Sequence, residues 1–244
     1  MIRKIIFIIF IFISFLTETA LCGPAHGIRR IMLDAGHGGA DPGAVSAEGF
    51  QEKGVALDIA QRVRKALLER GLEVRMTRDS DIFIPLSDRA SMANALDTDF
   101  FVSIHANASP TPHLRGFEIY HLSEEADDLA LALRRSGNSS LTEAILWDLR
   151  ETENRKESLN LAAQVMASVS GPLESMPQRI RPAEFYVLKW TECPAVLVET
   201  GYLSNIQDER LLRSPIYRNK VTQAIVDGIW KFKMDYEATN GFTK

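Results

Sequence analysis

Residues 30–39 read Arg-Ile-Met-Leu-Asp-Ala-Gly-His-Gly-Gly. An apolar run gives way here to a segment too rich in glycine to continue regular structure. The reading is a strand over residues 30–33, with His37 on the loop that leaves it. Downstream, Val55, Ile59, Val63, Ala66 and Leu67 recur at helical spacing, which predicts a helix over residues 52–70 stopped by Gly71. The alternation continues. Residues 72–77, 99–104 and 117–121 read as strands, and 87–96 as a helix behind Pro85. Residues 185–189 and 195–199 read as two further strands. Helices over 207–212 and 215–236 close the chain, with Val221, Ile225, Ile229 and Phe232 inward. The expected fold class is α/β: a single domain over residues 28–237. Its sheet is twisted and mostly parallel or mixed, with helices on both faces. Such sheets bind ligands at the carboxyl ends of strands, where His37 and His105 fall.

Between residues 123 and 183 the pattern changes to helices only, over 123–135, 141–150 and 158–169, with loops around Pro172 and Pro177. A connection this long with its own secondary structure reads as a lid or regulatory insert.

The amino terminus carries Arg3 and Lys4, an apolar run over residues 5–16, and small residues around Ala20, Cys22 and Gly23. This is the pattern of a secretory signal peptide, taken as residues 1–22, and the run is short for a membrane span. The expectation is export to the periplasm, with no stable membrane span after cleavage. The 28 Lys and Arg residues are spread among 32 Asp and Glu. That mixture forms neither a nucleic-acid footprint nor a polybasic membrane patch. Cys22 and Cys193 are the two cysteines, so a closed thiolate metal site is out. Cys193, beside Pro194, reads as a buried thiol.

Three residues nevertheless make a ligand set. His37 and His105 each follow an apolar strand and are framed by small residues, Gly36 and Gly38 or Ala106. The other histidines differ: His26 lies just past the signal segment, His113 in a proline-flanked loop, and His121 at a strand end. Glu52 opens a helix, where a carboxylate is favoured by the helix dipole in any case. It is equally the anionic partner that two neutral imidazoles would need. A zinc ion held by three protein ligands keeps a fourth position for water or substrate. Glu199 ends the apolar run Ala195-Val196-Leu197-Val198, and burying a charge there without a purpose is costly. It reads as a general base that takes a proton from water and returns it to a leaving nitrogen, or as a carboxylate that orients a histidine.

LDAGHGGADPGA, Glu52-Lys53, TRDSD followed by LSDRASMAN, DFFVSIHANA, RGFEIY and PAVLVETGYLSN occur in this order. Together they resemble the zinc-dependent N-acetylmuramoyl-L-alanine amidases of the type 3 family, a resemblance that covers roughly residues 30–232. The resemblance implies one zinc ion on His37, Glu52 and His105, Glu199 as the catalytic carboxylate, and peptidoglycan as the substrate. LTEAILWDLRETENRKESLNLAAQV resembles the insert of Gram-negative periplasmic members. In those, a helix covers the zinc with a glutamate until an activator protein displaces it. Here Gly137-Asn138 stands where a Glu-Asn pair is expected, and Glu143 is the nearby candidate. Arg78 and Arg89 are expected to pair with Asp79, Asp81 or Asp88. The competing readings are a zinc carboxypeptidase or aminopeptidase, and a catalytically inactive wall-binding protein. The presence of every ligand and of Glu199 speaks against the inactive protein.

Overall fold

Among the described residues, six strands make one sheet in the order β2-β1-β3-β6-β4-β5. They are β1 (Arg30–Ala35), β2 (Glu73–Met76), β3 (Phe100–Asn107), β4 (Phe117–His121), β5 (Gln178–Pro182) and β6 (Ala195–Tyr202). The helices are α1 (Glu52–Glu69), α2 (Leu86–Ala95), α3 (Leu141–Val169), α4 (Tyr186–Trp190), α5 (Ile206–Arg213) and α6 (Pro215–Asn240). This computed structural model describes residues 27–123 and 141–240. The expected signal segment, His26, Gly137-Asn138 and nearly all of the expected helix over 123–135 lie outside the described residues. The sheet and everything discussed below belong to one compact unit, Arg29–Phe232.

β2, β1, β3 and β6 run parallel, β4 runs antiparallel to β6, and β5 is parallel to β4. The sheet is therefore mixed. β1, β3 and β6 are buried along most of their length, as continuous apolar strands of a covered parallel sheet should be. On one face, Met32, Phe101 and Leu197 pack with Ala93 of α2 and with Val187 and Leu188 of α4. On the other, Phe100 meets Phe232 of α6 edge-on, with ring centroids 5.6 Å apart.

Register partners share a face, and the face carrying Met32 also carries polar residues towards the carboxyl ends. Asp34, Ser103, Leu197 and Tyr120 form one row across the strands. His105, Glu199 and Glu118 form the next.

Three expectations need correction. Residues 185–189 are not a strand: most of them form the short helix α4, whose Val187 and Leu188 fill the core beside Met32 and Phe101. A short apolar run fits strand or buried helix equally well by periodicity. The missing strand is β5, inside the segment expected to be wholly helical. Its sequence, Gln-Arg-Ile-Arg-Pro, is charged and ends in proline, as suits the edge of a sheet. Likewise, 141–150 and 158–169 are one 29-residue helix, α3. The intervening charges look like a break, yet Glu, Arg and Lys are good helix formers.

Candidate active site

The β1–α1 loop places His37 at φ 59°, a left-handed conformation unusual for a residue with a side chain. Two buried guanidinium groups hold the loop in that shape. Arg78 donates to the carbonyls of Ala35 (2.8 Å), Gly36 (2.6 Å) and Lys53 (2.9 Å). Arg89 donates to the carbonyls of Ala35 (2.7 Å) and His37 (2.7 Å) and to the Asp34 carboxylate (2.7 Å). The expected partners were therefore wrong. Asp79, Asp81 and Asp88 are exposed, whereas both guanidinium groups point inward at orphaned loop carbonyls. Asp81 instead binds Lys53 at 2.8 Å.

His37, Glu52 and His105 converge. One ligand atom from each lies within 4.8 Å of the others, in a geometry that could hold a metal ion. His37 presents Nε2 to Glu52 Oε2 at 3.1 Å, and His105 Nδ1 donates to Glu52 Oε1 at 2.7 Å. Glu52 starts α1 and is buried, and its oxygens also accept from the backbone N–H groups of Ala44 (2.8 Å) and Ala106 (3.1 Å). Burial works to raise its pKa. The imidazoles of His105 and His37 more than offset this and hold the carboxyl well below its ordinary range.

The donor set fits a zinc ion: two imidazoles and one carboxylate, gathered at one point. Two glycines keep room for it. A Cβ on Gly36 would come within 2.3 Å of the His105 ring, and one on Gly43 within 2.6 Å of both Glu52 and His37. Asp41 completes the arrangement, since His37 Nδ1 donates to its carboxylate at 2.7 Å. That bond fixes the ring so that Nε2 faces the site. Asp41 escaped the sequence reading, although a carboxylate four residues after a histidine in a glycine-rich loop was a usable signal.

Glu199 lines the same cleft as these three, as the register partner of His105. It is 8% exposed, and among the described residues its Oε2 has no hydrogen-bond partner. Burial, with Glu52 and Glu118 nearby, pushes its pKa well above the ordinary value. A carboxylate that gains basicity and lacks a partner is suited to taking a proton. The cleft has a volume of about 640 Å³, with Phe83, Leu86, Phe185 and Tyr186 forming an apolar wall.

The remaining candidates fall elsewhere. His113 is exposed. His121 is buried on the opposite face of β4 from Glu118, its Nδ1 donating to the Leu122 carbonyl at 3.0 Å. Cys193 is a free, partly buried thiol beside Thr98, its pKa pushed up to about 12 by burial. Glu143 is exposed, and no described residue of the 123–183 segment lines the cleft.

A family model described as N-acetylmuramoyl-L-alanine amidase matches residues 31–231. N-acetylmuramoyl-L-alanine amidase AmiA of Salmonella typhimurium is 35% identical over 232 residues, covering 88% of this chain and 80% of that protein. AmiA of Escherichia coli K12 is 34% identical over 218 residues, covering 83% of this chain and 75% of its own length. The solved structure of N-acetylmuramoyl-L-alanine amidase AmiC2 of Nostoc punctiforme superposes with a TM-score of 0.68 at 31% identity, covering 85% of this chain and 98% of that one.

Proposed function

Because this chain belongs to the N-acetylmuramoyl-L-alanine amidase family, we propose that it is an exported, zinc-dependent member that cleaves peptidoglycan. The bond attacked is the amide joining the lactyl group of N-acetylmuramic acid to L-alanine. The observation that carries this reading is the meeting of His37, Glu52, His105 and Glu199 in one cleft, from four separate elements of the chain. His37, Glu52 and His105 would hold the zinc. The ion, when bound, supplies a Lewis acid for the scissile carbonyl and lowers the pKa of water.

The chain's own residues do the rest. Glu199 receives the proton of the attacking water at its unpartnered oxygen and passes it to the departing nitrogen of alanine, so that the amine leaves uncharged. Asp41 keeps the His37 ring turned towards the site. The apolar wall of Phe83, Leu86, Phe185 and Tyr186 excludes water from one side of the scissile bond.

The amino-terminal pattern supports export to the periplasm, and among the described residues no helix is long and apolar enough to cross a membrane. The role that fits is wall remodelling, septum cleavage included. An activator protein would act on the 123–183 segment, where Ile145, Leu146 and Leu149 of α3 stand exposed.

Mass analysis of purified muropeptides after incubation, with and without a chelator, tests the reading. Free stem peptides beginning at L-alanine, with intact glycan, are expected without the chelator and absent with it. Loss of a terminal amino acid from the stem would point to a peptidase instead.

A further inference from the structure

β5 is an edge strand carrying two arginines, Arg179 and Arg181, on the face of the sheet that bears Glu199. Their register partners on β4 are Glu118 and Tyr120, which in turn lie opposite Glu199 and Leu197 of β6. Charged residues on an edge strand often serve only to discourage pairing with another chain. That role needs no buried acceptor, and this pair has one.

Glu118 is fully buried. Its carboxylate accepts from the Tyr120 hydroxyl (2.7 Å), the Tyr202 hydroxyl (2.9 Å), Arg179 Nη1 (3.0 Å) and, more weakly, Asn107 Nδ2 (3.4 Å). Arg179 also donates to the Arg115 carbonyl at 3.3 Å. Arg181 approaches Glu118 at 3.6 Å, beyond hydrogen-bond distance, and half of its side-chain surface, 51%, is exposed. Two guanidinium groups thus face one carboxylate whose acceptor positions are already engaged. The surplus positive charge sits on a rigid strand, beside the catalytic row.

We propose that Arg179 and Arg181 form an anion subsite that receives a carboxylate of the substrate's peptide stem. The inference rests on the amidase reading and adds to it a preference for acidic stems. Geometry sets which part of the stem is read. Neighbouring strands lie about 4.8 Å apart, so β5 is roughly 10 Å from β6, and an extended peptide advances about 3.3–3.6 Å per residue. With the first stem residue at the scissile bond, the backbone of the second and third lies about 3.5 and 7 Å along this line, and the length of the arginine side chains spans the gap that remains. Among the described residues, the cleft lining contains one cation of its own, Arg89, and that is committed to Asp34 and to loop carbonyls.

The test uses the zinc-loaded full-length protein and two synthetic N-acetylmuramoyl dipeptides that differ only in a free carboxylate or a carboxamide on the second residue. The unaltered protein is expected to favour the carboxylate substrate by about tenfold in kcat/KM, the scale of one charge-assisted hydrogen bond. Arg181→Gln is expected to erase most of that ratio, through KM rather than kcat. Its melting temperature should match the parent's, because Arg181 makes no hydrogen bond to Glu118. Arg179→Lys keeps the charge and is expected to keep part of the ratio. Equal cleavage of both substrates by the unaltered protein, or an Arg181→Gln loss shared equally between them, overturns the subsite and leaves the amidase reading standing. Cleavage of neither substrate overturns both.

Discussion

Glu199 is held where an ionised group is poorly accommodated: one oxygen unpartnered, with Glu52 and Glu118 close by. Its folded pKa lies above the ordinary 4.5, so as pH rises from there the folded state surrenders a proton more reluctantly than the unfolded chain. Stability is therefore lost with rising pH across that window. Glu199→Gln removes the titration and the charge. In metal-free protein at neutral pH it is expected to raise stability by about 1–3 kcal/mol, the cost of a buried unsatisfied group. The gain should vanish near pH 4, and denaturant melts at the two pH values would measure it. The same variant is expected to lose about 10²–10⁴-fold in turnover with its zinc content unchanged. Near-normal turnover would remove the assigned role. Glu199 was readable because a charge closing an apolar strand is conspicuous. That His37, Glu52 and His105 would come together was readable because each stands at an element boundary. Glu118 was not, since within Phe-Glu-Ile-Tyr-His it looks like the solvent side of an alternating strand, and its burial comes only from the neighbours that the sheet gives it.

Between elements, Asp34 joins four pieces of chain. Its carboxylate at the end of β1 accepts from Arg89 of α2 (2.7 Å), Thr77 just past β2 (2.7 Å) and Ser103 of β3 (2.7 Å). Burial pushes its pKa up, but Arg89 and the two hydroxyls prevail and hold it below its usual value. A depressed carboxyl contributes stability above its unfolded pKa, near 3.8, and that stability is lost as pH falls through the folded value. Asp34→Asn leaves the Arg89 guanidinium buried and unbalanced. A loss of about 3–5 kcal/mol at neutral pH is expected, with a weaker dependence on acid below pH 4, both measurable by denaturant titration. The α3 helix shows why the insert cannot be lifted out as the sequence boundaries suggest. Leu161, Ala162, Val165 and Val169 are buried, and β5 within the same segment pairs with β4 along five residues. α3 also approaches α6 at Gly228, where an added Cβ would come within 2.3 Å of the Val165 Cα. Alanine is the better helix former by about 1 kcal/mol. Gly228→Ala is nonetheless expected to destabilise by roughly 1–3 kcal/mol, because the contact is backbone against backbone and cannot yield by rotamer change. A variant that melts above the parent would contradict this packing. No periodicity in α6 announces that contact, which is why the sequence reading left it out.

For the molecule as a whole, the proposed zinc ion would couple the site to the fold. The loop bearing His37, the first turn of α1 and the end of β3 converge at the ligand set, so an ion bound there would add a further tie between segments far apart in the chain. An ion that binds the folded state and not the unfolded chain stabilises it by RT ln(1 + [L]/Kd), about 2.7 kcal/mol at a hundredfold excess over Kd. For a domain of this size that corresponds to roughly 5–11 °C in melting temperature. Chelator-stripped protein is thus expected to melt lower by that amount and to recover on adding zinc, but not magnesium, which prefers all-oxygen octahedral sites. The Glu199→Gln variant separates this effect from catalysis. With all three ligands in place, it should show the same zinc-dependent rise while remaining inactive, whereas His105→Ala should lose most of the rise together with activity. If zinc left the melting temperature of the parent untouched while chelation still abolished cleavage, the ion would be acting outside the His37–Glu52–His105 cluster, and the assignment of that cluster as its holder would fail.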